Sequence, residues 1–143
     1  MNEARETSAT AEASAGAPAP SLGPGPFQRQ LLLHFGAGVN QVTGQVTAPQ
    51  KLGLVIETIT ADIGVDTGEQ ANLFVETTAG GVSAMHTVAL DELPLTPRVF
   101  QSTQDVRLYA DAASTITVTV TRIGSNLQAI PKPELVTLSG HTT

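Results

Sequence analysis

The sequence predicts an all-β domain, an antiparallel β-sandwich of the jelly-roll type with about eight or nine strands. β-branched residues are abundant after position 38, and such side chains favour strands. Short segments in which polar and apolar residues alternate recur about every 8–12 residues, which is the spacing typical of sandwich proteins. No segment of useful length carries apolar residues at helical spacing. An open antiparallel barrel is the nearest alternative architecture.

The first 26 residues differ in composition from the rest of the chain. They consist mainly of Ala, Ser, Thr, Pro, Gly and Glu, and Leu22 is their only large aliphatic residue besides Met1. Such a segment buries too little apolar surface to offset the entropy lost on ordering. We therefore expect a disordered Ala/Pro-rich tail over 1–26 and one β-sandwich domain over 27–140. The alternative is that the tail is an arm that orders against a neighbouring subunit.

Three strands are expected directly after the tail. Residues 28–35 alternate in part and end at a Gly-Ala-Gly sequence, whereas 39–47 places Val and Gly on one face and Gln and Thr on the other. A proline then interrupts the pattern. The long apolar segment 52–63 is expected to be a central strand, with a bulge at Gly53 or at Thr60-Ala61.

A hairpin is expected next. The sequence Asp66-Thr67-Gly68 is a strong turn signal and precedes an alternating segment over 71–77. Ala79-Gly80-Gly81 reads as a second turn, so 83–90 is expected to be the other arm of the hairpin.

Four further strands complete the predicted fold. Two prolines hold 93–97 extended, and 99–102 is expected to be a short edge strand. Residues 105–110 alternate, with Val, Leu and Ala facing inward. The segment 115–122 has Ile and Val on one face and threonines on the other. After a longer loop, 135–139 is expected to be the last strand.

Several motifs of the chain are informative in combination, namely Pro26-Phe27-Gln28, Ala48-Pro49, 52–57, 106–111, 116–122 and 138–140. Together they resemble a family of uncharacterised bacterial jelly-roll-like β-sandwich domains, often known only as hypothetical proteins. The resemblance covers most of 26–140 and implies the fold without implying an activity. The chain departs from the family at Ala112-Ala113, where such proteins tend to have a Pro-Gly turn.

Charge and composition exclude several classes of protein. The net charge is −6 and no cluster of Lys or Arg is present, which argues against nucleic-acid binding through phosphates. The chain has no cysteine, which excludes disulfides, thiolate metal sites and cysteine nucleophiles. No secretory signal is visible, and no apolar run approaches the ~20 residues of a membrane-spanning helix. We expect a soluble protein without membrane insertion, of undetermined compartment.

No catalytic constellation is visible, so neither enzymatic activity nor a cofactor is expected. His34, His86 and His141 stand alone, whereas a cupin-type metal site needs clustered imidazoles. Glu57 and Glu76 lie within apolar strands, where burial would raise a carboxyl pKa and make the group a candidate acid or base. The favoured interpretation is that both face solvent.

Charged residues on neighbouring strands have a simpler expected role. Arg107 and Arg122 are expected to form stabilising cross-strand pairs with acids such as Glu57 and Glu76.

The segment 62–69 carries three acids beside two glycines and loosely resembles a Ca²⁺-binding loop. It lacks the spacing of an EF-hand loop, so an ordinary acidic turn is the favoured interpretation and no metal is predicted. The candidate ligands, should a cation bind, are Asp62, Asp66 and Glu69.

These observations favour a non-enzymatic structural or interaction module that self-associates or docks through a sheet face. The threonine face of 115–121 is most simply a solvated strand face, and the alternative is a surface that packs in an oligomer. The expected partner is a second copy, in a trimer or dimer, or another protein. The alternative is a small-ligand or carbohydrate-binding domain, Ca²⁺-assisted, that uses loops at one end of the sandwich. Its candidate residues are Asp62, Asp66, Glu69, Asp91 and Glu92.

Overall fold

A computed structural model describes residues 24–66, 68–93, 98–125 and 127–143. These residues contain no α-helix and form nine strands. In chain order the strands are β1 (Pro26–Leu33), β2 (Gln41–Thr47), β3 (Leu54–Val65), β4 (Gln70–Ala79), β5 (Val82–Val88), β6 (Asp91–Leu93), β7 (Arg98–Ala110), β8 (Thr115–Ile123) and β9 (Glu134–Thr142). Residues 1–23, most of the predicted tail, lie outside the described part of the chain.

The strands form two sheets that pack face to face. The five-stranded sheet has the order β1-β9-β3-β7-β6 and the four-stranded sheet the order β2-β8-β4-β5. Every pairing of strands is antiparallel. The chain crosses repeatedly between the sheets, as it does in a jelly roll. The predicted antiparallel jelly-roll sandwich is confirmed.

The space between the sheets is filled mainly by aliphatic side chains. On β8, Ile116, Val118 and Val120 are fully buried, while the threonines between them face outward as predicted. β4 contributes Leu73 and Val75 to the same layer. Burying one such side chain stabilises a fold by about 1.5–3 kcal/mol, so this alternation decides which face of each strand turns inward.

The region before β8 differs from the prediction. The expected edge strand 99–102 and the expected strand 105–110 are one continuous strand, β7. The polar residues between them conceal this continuity in the sequence. In the structure Ser102 is buried in phase with Phe100, so the alternation of the strand is kept. β7 is not an edge strand, since it pairs with β3 on one side and with β6 on the other.

β3 carries its bulge at a position that was not predicted. The register shifts between Ile56 and Thr58 against both neighbouring strands. Against β9, Glu57 is the extra residue of β3, whereas against β7 the extra residue belongs to β7. The predictions of Gly53 and Thr60-Ala61 are wrong. Gly140 of β9 pairs with Ile56, and a Cβ there would overlap the carbonyl oxygen of Val55. The bulge therefore depends on a glycine from a strand distant in sequence, which the local pattern of β3 does not reveal.

Candidate functional site

Three buried charged residues lie together at one end of the sandwich. Arg122 belongs to β8, Glu134 is the first residue of β9, and Glu69 immediately precedes β4. Each has 3% or less of its surface exposed. A buried charge needs partners, because its desolvation is costly. We refer to Arg122, Glu69 and Glu134 as the charged cluster.

Arg122 bonds to the connection between β1 and β2 as well as to an acid. Its Nε donates to the carbonyl oxygen of Val39 at 2.8 Å and its Nη2 to that of Gly36 at 3.0 Å. Its Nη1 lies 3.5 Å from Oε1 of Glu69. The guanidinium also lies 4.7 Å from the ring centroid of Phe35, within cation–π distance. Arg122 thus fixes the backbone of the β1–β2 connection to the end of β8.

Glu69 holds the turn between β3 and β4. Its Oε1 accepts a hydrogen bond from the amide of Asp66 at 3.1 Å, and its own amide donates to the carbonyl of Asp66 at 3.0 Å. A Cβ on Gly124 would lie 2.6 Å from Cγ of Glu69, so the glycine leaves the room that the acid occupies. Within the described residues, Oε2 of Glu69 has no hydrogen-bond partner.

Glu134 is the acid whose protonation state burial changes most clearly. Its Oε1 accepts a hydrogen bond from the amide of Gly64 at 2.7 Å, and its Oε2 has no partner among the described residues. Burial raises the pKa of Glu134 to about 8, although the Gly64 hydrogen bond and the charge of Arg122 oppose that rise. At neutral pH Glu134 is therefore largely a protonated carboxylic acid, and it lies beside the Arg122–Glu69 salt bridge. Since these groups are covered, their role is to cross-link connections of the chain.

At the opposite end of the sandwich, the carboxylate of Asp111 links two turns. The two carboxylate oxygens of Asp111 accept hydrogen bonds from the amides of Gly80 and Gly81, at 2.8 and 2.9 Å. These bonds lower the pKa of Asp111. In the turn that follows, Ala113 has a positive φ of 64°. The β4–β5 turn is thus fixed to the β7–β8 turn.

The acids considered as catalytic candidates lie on outer sheet faces. Glu57 and His141 form a 3.2 Å contact between Oε1 and Nδ1, and both side chains are nearly half exposed. Glu76 is half-buried on β4 and pairs in register with Met85 and Thr117. Neither glutamate lies in an enclosed pocket with a second titratable group, which is the arrangement that an acid–base site would need.

The two arginines that were predicted to form cross-strand pairs lie in different environments. Arg122 does not pair with Glu57 or Glu76, because it faces inward and contacts Glu69. Arg107 is exposed on β7, and its pKa is raised chiefly by Tyr109 and to a smaller extent by Glu57.

The acids of the predicted Ca²⁺-binding segment point in different directions. Asp62 is exposed within β3, Asp66 lies in the turn, and the carboxylate of Glu69 faces Arg122. Asp91 and Glu92 are exposed on β6. Across the described ranges, no three His, Cys, Asp or Glu residues are grouped so that they could hold a metal ion.

The histidines also lie apart. His34 follows β1 and is exposed, His86 belongs to β5, and His141 contacts Glu57 on β9.

A shallow groove crosses the outer face of the five-stranded sheet. It is open to solvent and has a volume of about 300 Å³. The strands β1, β9, β3 and β7 line it mainly with hydroxyl, amide and carboxylate groups. The principal polar lining residues are Gln30, Thr60, Asp62, Gln101, Thr103 and Thr137.

The sequence contained a signal for the charged cluster. Arg122 follows Ile116, Val118 and Val120 in phase, so alternation alone places it on the inward face. Glu134 and Glu69 likewise lie two residues before Val136 of β9 and Ala71 of β4, and therefore in phase with the inward residues of these strands. The expectation that Arg122 forms a cross-strand pair with an acid such as Glu57 or Glu76 concealed this pattern.

Comparison with known proteins extends the description of the fold. No family model and no curated protein matches the sequence, so the resemblance to bacterial domains stays a prediction. The VP2 subviral particle of infectious bursal disease virus is similar in structure, with a TM-score of 0.53 at 12% identity over 88% of this chain. Structures of the Gt and Gx strains of that virus match at 12% and 13% identity over 89% and 88% of this chain. Their TM-scores of 0.42 and 0.43 are too low to carry an argument.

The match concerns only part of the viral protein. This chain spans 37% of the VP2 chain of the subviral particle, and 37% and 36% of the chains of the Gt and Gx strains. At 12% identity the likeness establishes a shared fold and nothing further. Separately, the described residues include no helix long and apolar enough to cross a membrane.

Proposed function

We propose that this chain is a non-enzymatic structural module, a jelly-roll building block that self-associates through one of its sheets. The observation that carries the proposal is the fold shared with VP2, which was solved as a subviral particle, that is, in an assembled form. The match covers 88% of this chain, so nearly all of it corresponds to one part of an assembling protein.

The use of polar groups supports the same proposal. The buried charges of the charged cluster bond to the connections at one end, and Asp111 clasps two turns at the other. Both arrangements stiffen the ends of the sandwich. A stiff module loses little conformational entropy when copies associate, which favours assembly.

The proposed partner is a second copy of this chain, in a closed dimer or trimer. Light scattering coupled to size-exclusion chromatography, over a wide range of concentrations, tests this directly. We expect a mass that rises from 14.8 kDa to a defined multiple. A mass that stays at the monomer value at the highest attainable concentration would contradict self-association.

A second candidate function is the binding of a small neutral ligand such as a sugar, in the groove of the five-stranded sheet. The observation that favours it is the lining of hydroxyl and amide groups with the single carboxylate of Asp62, which suits a polyhydroxylated ligand. A glycan array with the full chain tests it. We expect Asp62→Asn to weaken any binding and Asp105→Asn, on the exposed side of β7, to leave it unchanged. The absence of binding to any glycan would reject this function.

A further inference from the structure

β5 forms one edge of the four-stranded sheet. Residues 82–88 pair with β4 on one side, and no described strand pairs with the other side. The backbone amides and carbonyls on that side are a template for a further strand. We call the unpaired side of Val82–Val88 the β5 edge.

The β5 edge exposes apolar side chains on both faces of the sheet. Val82 is 68% exposed and lies opposite Ala79, whereas Met85 is 62% exposed and lies opposite Glu76. Successive side chains of a strand point to opposite faces of the sheet. Val82 and Met85 are three residues apart, so they point to opposite faces. A partner strand added at the β5 edge would contact both side chains.

The β5 edge also lacks the features that prevent natural edge strands from pairing with other chains. Its sequence, Val-Ser-Ala-Met-His-Thr-Val, contains no Asp, Glu, Lys, Arg, Pro or Gly. Natural sheets prevent unwanted pairing with charges, prolines, bulges or very short edge strands. A seven-residue strand without any of these features is suited to pairing.

The other sheet edges are protected or polar. β6 is three residues long and carries two acids, and β1 carries Pro26 and Arg29. β2 is uncharged, but its outward side chains are Gln and Thr. Among the four edges in the described part of the chain, the β5 edge alone exposes large apolar side chains.

We propose that the β5 edges of two copies pair antiparallel, which joins two four-stranded sheets into one continuous eight-stranded sheet. This inference rests on the proposed self-association and names its surface. A second copy is the occupant that the uncharged and self-complementary sequence of β5 favours. Each chain carries a net charge of −6, so two copies repel, and contact is least unfavourable where a strand without acids meets its own copy.

The strand is also self-complementary. An antiparallel pair related by a twofold axis places residue i opposite residue j, with i and j exchanged on the second copy. When the axis passes at Met85, Met85 faces Met85 and Val82 faces Val88 of the second copy. Residues that face each other then lie on the same side of the sheet, as strand pairing requires.

Two substitutions at Met85 test the proposal in the full chain. Met85→Lys sets two ammonium groups opposite each other across the axis, and we expect the dissociation constant of the dimer to rise by at least about tenfold. Ile123→Lys is the matched control, because Ile123 is 63% exposed on the same sheet but belongs to the inner strand β8. Circular dichroism verifies that both variants fold.

A cross-linking test is independent of any destabilisation by lysine. The chain has no cysteine, so Met85→Cys introduces a single thiol. Facing Cα atoms in antiparallel strands lie about 4.5–5.5 Å apart, which a disulfide can bridge. We expect a covalent dimer from Met85→Cys on mild oxidation and none from Ile123→Cys.

The outcomes separate this inference from the proposed function. A dimer that Met85→Lys dissociates and Met85→Cys cross-links supports the β5 edge. An oligomer that persists unchanged in Met85→Lys, without cross-linking of Met85→Cys, overturns the β5 edge and leaves self-association standing. A wild-type chain that is monomeric at all concentrations overturns both.

Discussion

Replacing Glu134 by Gln should remove a large part of the pH dependence of stability above about pH 5. Burial raises the folded-state pKa of Glu134 to about 8, against the ordinary value of 4.5. The folded protein therefore keeps a proton that the unfolded chain releases. The stabilisation from this proton is fully present below pH 4.5 and is lost as the pH rises toward and through 8.

The size of the effect follows from the two pKa values. At about 1.4 kcal/mol per pKa unit, the difference between 4.5 and about 8 corresponds to a loss of at most about 5 kcal/mol. Since domains are typically stable by about 5–15 kcal/mol, a loss of even half that size is measurable. Gln is neutral at every pH, and its side-chain oxygen can still accept the hydrogen bond from Gly64.

Urea unfolding between about pH 5 and about pH 9 measures the effect in both proteins. We expect the free energy of unfolding of the wild type to fall steeply over this range and that of Glu134→Gln to fall less. Asp105→Asn removes one negative charge at an exposed position and controls for the change in net charge. Parallel pH profiles for the wild type and Glu134→Gln would refute the conclusion that Glu134 keeps its proton in the folded protein.

Three further substitutions test local contacts by thermal unfolding. Gly124→Ala brings a Cβ within 2.6 Å of the Glu69 side chain and should cost about 1–3 kcal/mol, whereas Gly64→Ala, which has no heavy atom within 4 Å of the new Cβ, should be tolerated better. Gly140→Ala should destabilise more than Gly124→Ala, because the new Cβ meets backbone at the bulge of β3 instead of a side chain. Asp111→Asn should lower stability at neutral pH, because the uncharged amide keeps one acceptor oxygen and its NH2 group cannot accept the second of the two hydrogen bonds from Gly80 and Gly81. Since the folded-state pKa of Asp111 is lowered, that difference should shrink as the pH falls below the ordinary aspartate value of 3.8.

Local alternation was sufficient to predict most strands. It failed where the length or the register of a strand depends on the strand that pairs with it. The faces of β8 follow from its sequence because Ile116, Val118 and Val120 alternate with threonines. The continuity of β7 does not, because the polar residues Thr103 and Gln104 separate the two predicted strands until their pairing with β3 is known. The bulge at Glu57 depends on Gly140, which is distant in sequence.

The charged cluster could have been found in part from the same alternation. Periodicity places Arg122 inward, but the carbonyl groups of Gly36 and Val39 that satisfy it belong to a connection whose position no local pattern reveals. The raised pKa of Glu134 likewise depends on how completely β9 is covered at its start. Burial and partners are tertiary properties, so the sequence indicates where a charge points without indicating what it meets.

The charged cluster also bears on how the sandwich keeps its register. A slip of one residue in β8 would expose its aliphatic face and move Arg122 away from both carbonyl groups and from Glu69. Such a state would leave the buried carboxylate of Glu69 without its counter-charge, which costs about 3–5 kcal/mol for a buried ion pair that loses one partner. An apolar residue at position 122 would penalise the slipped register less. The charged cluster thus disfavours a slipped register of β8, in addition to bonding the ends of β8, β4 and β9 to neighbouring connections.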